Sequence, residues 1–240
     1  MRDPGLSFGQ AAAHYDRIRP GYPAEAVRRA LGDPPARVVD LGAGTGLLTR
    51  VLLAEGFDVV PVEPDREMRA HLAATTPGVA VLAGSAEAIP LPDGSADAVV
   101  AGQAYHWFDP DRAHPEIARV LRPGGRFAAI WNTRDESVPW VADLTRAAHL
   151  GDGRSPEHRI DDLGPLFGPV HRAEFRHATG HTADSLVDLI KSRSYYLTAL
   201  PEGRERIEAA VRHVASTIGH DAFELPYVTE VYWAFRTSPA

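Results

Sequence analysis

The chain has 240 residues, enough for one large α/β domain or one domain plus a small cap, and its 44% apolar content excludes a disordered chain. It contains no cysteine, which excludes disulfides, thiolate zinc sites and a cysteine nucleophile. A net charge of −7, with no long basic run, argues against double-stranded nucleic acid as a dedicated partner.

In chain order, Met1-Arg2-Asp3-Pro4-Gly5 lacks the apolar core of a signal peptide, and no later apolar run reaches membrane-spanning length. A soluble cytoplasmic protein without membrane partners is expected. Residues 7–16 have helical spacing, with Phe8, Ala11, Ala12 and Tyr15 able to share a face. Pro20, Gly21 and Pro23 break that helix, and a second starts at Tyr22-Pro23 and runs to about residue 31. Val38-Val39 then reads as a strand ending in Asp40. Glycines follow at 42, 44 and 46, and residues 47–54 read as a helix. Glycines at a strand-to-helix turn allow backbone angles that other residues resist and let a ligand approach the main chain. The dinucleotide fingerprint fails here: its sixth place is Leu47 counted from Gly42, and Thr49 counted from Gly44. A P-loop fails as well, because no Gly-Lys-Ser/Thr follows.

What remains, Asp40-Leu41-Gly42-Ala43-Gly44-Thr45-Gly46, resembles motif I of the class I S-adenosylmethionine-dependent methyltransferases of the type 11 domain. The resemblance implies that Asp40, Gly42, Ala43 and Gly44 bind the cofactor. That ligand has no pyrophosphate, so the loop need only accommodate an amino-acid moiety and a ribose, and an acidic strand end suits its ammonium and sulfonium charges. Residues 7–23 resemble the N-terminal lid of a subgroup related to trans-aconitate methyltransferase. Tyr15 and Arg19 would then reach the cofactor's carboxylate end or close the substrate pocket, a guanidinium matching a planar carboxylate. A surface helix packed by its aromatics is the plainer alternative.

A second strand over residues 58–62 ends in Glu63-Pro64-Asp65. An acidic residue about twenty positions beyond the glycine loop is the expected partner of both ribose hydroxyls, which places Glu63 and its neighbour Pro64 at the cofactor. Met68 lies one helical turn on, where the family packs an apolar side chain against adenine, although core filling would serve equally. Residues 79–83 read as strand three, followed by Gly84-Ser85-Ala86-Glu87. The family often has Gly-Asp-Ala-Glu here, its acid taking the adenine amino group. Ser85 departs from that pattern, leaving the serine oxygen or the Ala86 backbone to make the contact, and Glu87 either matches the family or caps the following turn.

Residues 97–101 form a buried-type strand, and Gly102-Gln103-Ala104-Tyr105-His106-Trp107-Phe108 resembles the Ala-x-His-Trp-Phe element of the same subgroup. Ligands of open α/β sheets bind at such strand ends, which puts Gln103 beside the cofactor. His106 is the acid–base candidate near the transferring methyl, or else a structural histidine holding the loop. A helix over residues 110–121 ends at Arg122-Pro123-Gly124-Gly125, a turn widespread in the family, before strand five at 127–131. A helix at 138–150, a loop at 151–156, a sixth strand at 170–175, helices at 182–200 and 202–218 and a last strand at 226–236 complete the reading. Lys191, Arg193, Tyr195 and Tyr196 collect in the late helices, where a solvated face is the plain interpretation.

The expected fold is α/β: a Rossmann-like, seven-stranded methyltransferase sheet, mostly parallel with its last strand antiparallel, with helices on both faces and a small helical cap. One methyltransferase domain is expected over residues 1–240, with lid helices at 1–35, a cofactor-binding core at 36–131 and a cap-bearing remainder at 132–240. The expected activity is methyl transfer from S-adenosyl-L-methionine to a small-molecule acceptor, with S-adenosyl-L-homocysteine as product and no metal, by a monomer or homodimer. The protein would supply alignment and exclusion of water, and a base only for an acceptor that carries a proton. A tRNA or protein methyltransferase and a non-catalytic cofactor-binding module are the alternatives. A nicotinamide oxidoreductase ranks last because the glycine spacing fails.

Overall fold

A computed structural model describes residues 19–34, 36–149 and 159–237. The expected first helix, residues 7–16, and the loop at 151–156 lie outside these. In chain order the elements are α1 (Ala24–Leu31), β1 (Arg37–Leu41), α2 (Leu47–Ala54), β2 (Asp58–Val62), α3 (Arg66–Thr75), β3 (Ala96–Gly102), a 3-10 turn (Tyr105–Trp107), α4 (Pro110–Val120), β4 (Leu121–Arg134), α5 (Pro139–His149), β5 (His171–Thr182), α6 (Ala183–Lys191), α7 (Ser194–Thr198), α8 (Pro201–Thr217) and β6 (Ala222–Phe235). The sheet order is β2-β1-β3-β4-β6-β5. The first four of these run parallel, and β6 is antiparallel to both β4 and β5.

The apolar runs of the central strands are buried on both faces, as parallel strands covered by helices must be. Val39, Leu41, Val99, Ala101, Phe127 and Ala129 face α4, whereas Val38, Ala98, Val100, Ala128 and Ile130 face α1 and α2. Alternate residues of each strand therefore reach opposite cores. A third cluster joins Val141 and Leu144 of α5, Leu186 and Ile190 of α6 and Ile207 and Val211 of α8 to Leu225 and Tyr227 at the start of β6. Because β6 runs antiparallel, its start lies beside the C-terminal end of β4, so this helical cap sits at the edge of the sheet where the parallel strands end.

The sheet has six strands where seven were expected. Residues 79–83 make only one parallel bridge, Leu82 to Val62. Leu82 donates to the Pro61 carbonyl at 2.9 Å and accepts from the Glu63 amide at 3.0 Å. The next rung of a parallel ladder would require the Pro61 N–H, which proline lacks. In the other direction Glu63 removes the partners: its carbonyl takes Arg69 and its carboxylate takes the Asp65 N–H. The segment is in place and its ladder is blocked at both ends. Other boundaries moved as well, β4 starting at Leu121 and β6 at Ala222, both earlier than expected. The helix expected over 182–200 breaks at Ser192 and Arg193 into α6 and α7, and β5 is longer than expected because it pairs with β6 over its whole length. The Arg122-Pro123-Gly124-Gly125 turn is a bulge within β4, between the pairs Ala96–Leu121 and Ala98–Arg126.

One buried side chain ties the N-terminal segment to the sheet. Asn132 donates from Nδ2 to the Gly21 carbonyl at 2.9 Å, and its Oδ1 accepts the Thr229 hydroxyl at 2.6 Å. Its main-chain carbonyl accepts from Gln103 Nε2 at 2.8 Å. Asn132→Ala should leave the Thr229 hydroxyl and the Gly21 carbonyl unsatisfied and lower stability by about 2–3 kcal/mol. The check is a lower urea midpoint at unchanged m-value; an unchanged midpoint would show that Asn132 is not the tie.

Candidate active site

The glycine turn is pinned to the neighbouring strand before any ligand is considered. The amides of Gly42 and Ala43 both donate to the Val62 carbonyl, at 2.9 and 3.1 Å. A Cβ on Gly42 would lie 2.8 Å from that of Ala104, and one on Gly46 would lie 2.9 Å from Leu72 Cγ. Those two glycines are needed for close packing. At Gly44, φ is +57°, and the nearest atom to a Cβ there would be Met68 Sδ, at 3.9 Å. Gly44 is therefore the place where the turn keeps an open face toward a ligand.

Two buried carboxylates flank it. Asp40, at the end of β1, is 1% exposed. Its Oδ2 accepts the Thr49 hydroxyl at 2.6 Å, while its Oδ1 is buried with no hydrogen-bond partner. Burial pushes its pKa up to about 7, the Thr49 bond opposes the rise and the charge of Glu63 adds to it. An unsatisfied buried carboxylate oxygen is costly and calls for a donor. A ligand ammonium fits that position and would favour the ionised form. Glu63, just past β2, accepts the Gly44 N–H with Oε2 and the Asp65 N–H with Oε1, each at 2.8 Å. Each of its oxygens can accept once more, so the fixed carboxylate could receive two ligand hydroxyls. Burial raises its pKa, and the amides of Asp65 and Gly44 oppose the rise. Arg69 holds the carbonyls of Glu63 and Pro64, and Asp65 caps α3 through the amides of Glu67 and Met68. Asp40, Gly42, Ala43, Gly44, Glu63 and Met68 thus come together at the ends of β1 and β2, with Pro64 serving through its backbone. Glycines with open approach, a ribose-competent carboxylate and an unpaired acid fit S-adenosylmethionine.

The remaining expected residues divide between the flank of this cluster and its far side. Ser85 and Ala88 exchange amide hydrogen bonds in a tight turn, and the intervening Ala86 is buried. Glu87 accepts the Asp109 N–H at 3.0 Å, so it joins this turn to the loop after β3. Gln103 is the one non-glycine with positive φ among the described residues, at +55°. Its amide donates to Ile130 and its side chain to Asn132, which fixes the strand end. His106 is exposed in the 3-10 turn, its Nδ1 facing Trp131 Nε1–H at 3.4 Å. Arg19 donates to the Ser192 hydroxyl and carbonyl at 3.1 and 2.9 Å, on the cap side. Tyr15 lies outside the described residues.

Three residues at the site were not singled out beforehand. Thr49 is a hydroxyl one turn into the helix after the glycines. Asn132 is a polar residue closing an apolar run. Tyr22 lies over the end of β3, its hydroxyl 2.9 Å from where a Gly102 Cβ would be. Each carried a signal in its residue type; Thr49 pairs nine residues back with Asp40, whereas the partners of Asn132 and the strand end beneath Tyr22 come from distant parts of the chain.

Among the described residues no group of three acidic or histidine side chains could hold a metal ion, and no helix is long and apolar enough to cross a membrane. Residues 39–129, spanning β1 to β4, match the methyltransferase domain family. An uncharacterised methyltransferase of Mycobacterium tuberculosis is 44% identical over 232 residues, covering 95% of both chains. An uncharacterised methyltransferase-like protein of Schizosaccharomyces pombe is 32% identical over 240 residues, covering 94% of both. The fold matches that of an Anaeromyxobacter dehalogenans protein described as a type II methyltransferase, with a TM-score of 0.64 at 23% identity over 92% of this chain and 99% of that one. The motif, the sheet and the relatives agree: this chain belongs to the class I S-adenosylmethionine-dependent methyltransferases.

Proposed function

We propose that the enzyme methylates a small molecule enclosed between the C-terminal ends of β1, β3 and β4 and the helical cap. The observation that carries the donor half of this reading is the pair of buried carboxylates around Gly44, one with an oxygen still to be satisfied. Asp40 would take the amino group of the methionine moiety, Glu63 the two ribose hydroxyls, and Met68 the adenine face. Ser85 and Ala86 would lie at the adenine edge, and Gln103 would hold the strand end against the methyl-bearing side. The acceptor half rests on the roof. Arg19 is tied to Ser192, and the Gly21 carbonyl to Asn132, so a segment of the same chain crosses the reaction end of the sheet. A roofed site of this kind suits a metabolite better than a folded protein or an RNA, for which the net charge of −7 is also unfavourable.

The bound cofactor supplies a methyl group already activated by its sulfonium. The residues of the chain then have to align the acceptor in line with that methyl and keep water out. His106 would be a poor base in the observed arrangement. With Nδ1 facing the Trp131 N–H, the proton of the neutral ring belongs on Nε2, which makes that nitrogen a donor. On this reading His106 orients the acceptor or its loop, and an acceptor already lacking a proton needs no base.

The direct experiment follows methyl transfer from labelled donor into a metabolite extract and identifies the product; label appearing only in protein or RNA would reverse the choice of acceptor. Three variants test the residues. Glu63→Gln cannot accept from both the Gly44 and Asp65 amides and from a ribose, so S-adenosylhomocysteine should bind about 10–100-fold more weakly by calorimetry. Asp40 yields a pH signature. Its folded pKa of about 7 lies above the ordinary carboxylate value, so the ligand-free protein loses stability as pH rises from about 4 toward 7, and no more above. A cationic ligand needs the ionised form. Affinity for S-adenosylhomocysteine should therefore rise about tenfold from pH 6 to pH 8, and Asp40→Asn should flatten the profile; an identical profile in the variant would exclude Asp40. His106→Ala should bind S-adenosylhomocysteine within about twofold of the parent, since its removal touches no cofactor contact. Loss of binding would instead make it a cofactor residue.

A further inference from the structure

Away from the glycine turn, positive charge collects at the end of β4. Arg134 and Tyr227 are opposite each other in the β4–β6 register, and His177 is opposite Tyr227 in the β5–β6 register. The His177 ring stacks on Tyr227 with centroids 5.5 Å apart. These side chains share one face of the sheet with Asn132, where the Gly21 carbonyl crosses. Arg193 comes from the break between α6 and α7, next to the Ser192 that anchors Arg19.

The cluster is half-buried around the fully buried Tyr227, and it is incompletely paired. Arg134 Nη1, Arg193 Nε and the Tyr227 hydroxyl are all shielded from solvent with no hydrogen-bond partner of ordinary geometry. Among the described residues neither Arg134 nor Arg193 has an ion pair. Two acids of the neighbouring elements are already engaged, Asp135 with Arg176 and Ser137, and Glu208 with Lys191 and Tyr196. Burial raises the pKa of the Tyr227 hydroxyl, and the charges of Arg193, Arg134 and Arg19, with a poorly aligned approach of the Arg193 guanidinium to the hydroxyl, pull against that rise; all three guanidiniums thus lie in its surroundings. Like charges gathered around a buried hydroxyl repel one another and leave donors unsatisfied. An oxyanion would correct both faults, since guanidinium forks and a phenol are all donors suited to carboxylate or phosphoryl oxygens.

From these placements we infer that Arg134, Arg193 and Tyr227 form an oxyanion-binding site for the methyl acceptor, which is therefore a small molecule carrying a carboxylate or phosphoryl group. This inference rests on the small-molecule methyltransferase reading and names its substrate class. The site is distinct from the donor turn, because β4 lies two strands from β1 in the sheet, about 10 Å away.

The test uses the full chain saturated with S-adenosylhomocysteine, its melting temperature followed with 10 mM citrate, inorganic phosphate or the neutral triethyl citrate as probes. A site filled to about ten times its Kd should raise Tm by about 3 °C with citrate, phosphate or both, and not with the ester. Citrate alone would mark a carboxylate acceptor and phosphate alone a phosphorylated one. The rise should vanish in Arg134→Met and Arg193→Met and persist in Arg176→Met, which removes a cation engaged by Asp135. General stabilisation by excluded anions is common to all of these proteins and cancels in the comparison. Tyr227→Phe removes only a hydroxyl without a hydrogen bond of ordinary geometry, so it should fold and lose part of the rise even if an arginine variant does not fold. No anion-specific rise, or a rise that survives the arginine and Tyr227 substitutions, would overturn the inference. So would a tenfold loss of S-adenosylhomocysteine affinity in Arg134→Met, which would assign the guanidinium to the cofactor. Calorimetry on the parent separates the two failures: no S-adenosylhomocysteine binding sinks the donor reading, whereas normal binding with no anion response sinks the acceptor site alone.

Discussion

Glu63 is the constraint on which the ends of β1 and β2 depend. One carboxylate oxygen takes the Gly44 amide and the other the Asp65 amide, so one side chain sets both the glycine turn and the start of α3. The same residue, through its main chain and the neighbouring Pro61, ends the ladder to residues 79–83 after a single bridge. The edge strand thus gives up hydrogen bonds at the position where the backbone has to turn toward a ligand. Holding a carboxylate in a largely buried place costs solvation, and two backbone amides offset much of that cost.

Asp40 shows the other side of the same balance. It is more deeply buried than Glu63, receives a single side-chain hydrogen bond, from Thr49, and keeps one oxygen unpaired. Its carboxylate is therefore under-satisfied, and burial pushes its pKa up to about 7. The guanidiniums at the end of β4 form the opposite imbalance, with donors in excess. The ends of β1 and β4 thus carry incompletely paired groups of opposite sign, and the neutral residues Gln103 and Asn132 are committed to one another and to the backbone.

Asn132 also determines how the lid side communicates with the cap. It joins the Gly21 carbonyl, the Thr229 hydroxyl and the Gln103 amide, while Arg19 joins the same N-terminal segment to the break after α6. This is why a helix read as continuous over 182–200 is interrupted. The Ser192 hydroxyl folds back onto the Leu189 carbonyl, and its own carbonyl and hydroxyl oxygens accept from Arg19. Such a hydroxyl competes with the helix ladder, but the competition is decided by a guanidinium 173 residues away.

The glycine turn and its two flanking carboxylates were legible in the sequence because their contacts are local. Asp40, the three glycines and Glu63 lie within twenty-four consecutive residues, and a strand-turn-helix-strand unit brings them together whatever the rest of the chain does. Alternation of apolar strands and helices likewise determined the parallel core, and the late strand was read as antiparallel from its place in the order. Strand register was not legible. It decided that the Pro61 nitrogen would face the rung that residue 80 needed, that Arg134 would lie against Tyr227, and that His177 would stack beside it. Residue type alone marked Arg193 and Tyr195 as an ordinary solvated helix face, because nothing in the helix period shows what lies across from it. The sequence by itself determined the glycine turn and the two carboxylates beside it, through short-range backbone geometry. Only the tertiary structure decided which side chains meet at the end of β4, because that surface is assembled from β4, β6 and the α6–α7 break, and long-range pairing alone brings them into contact.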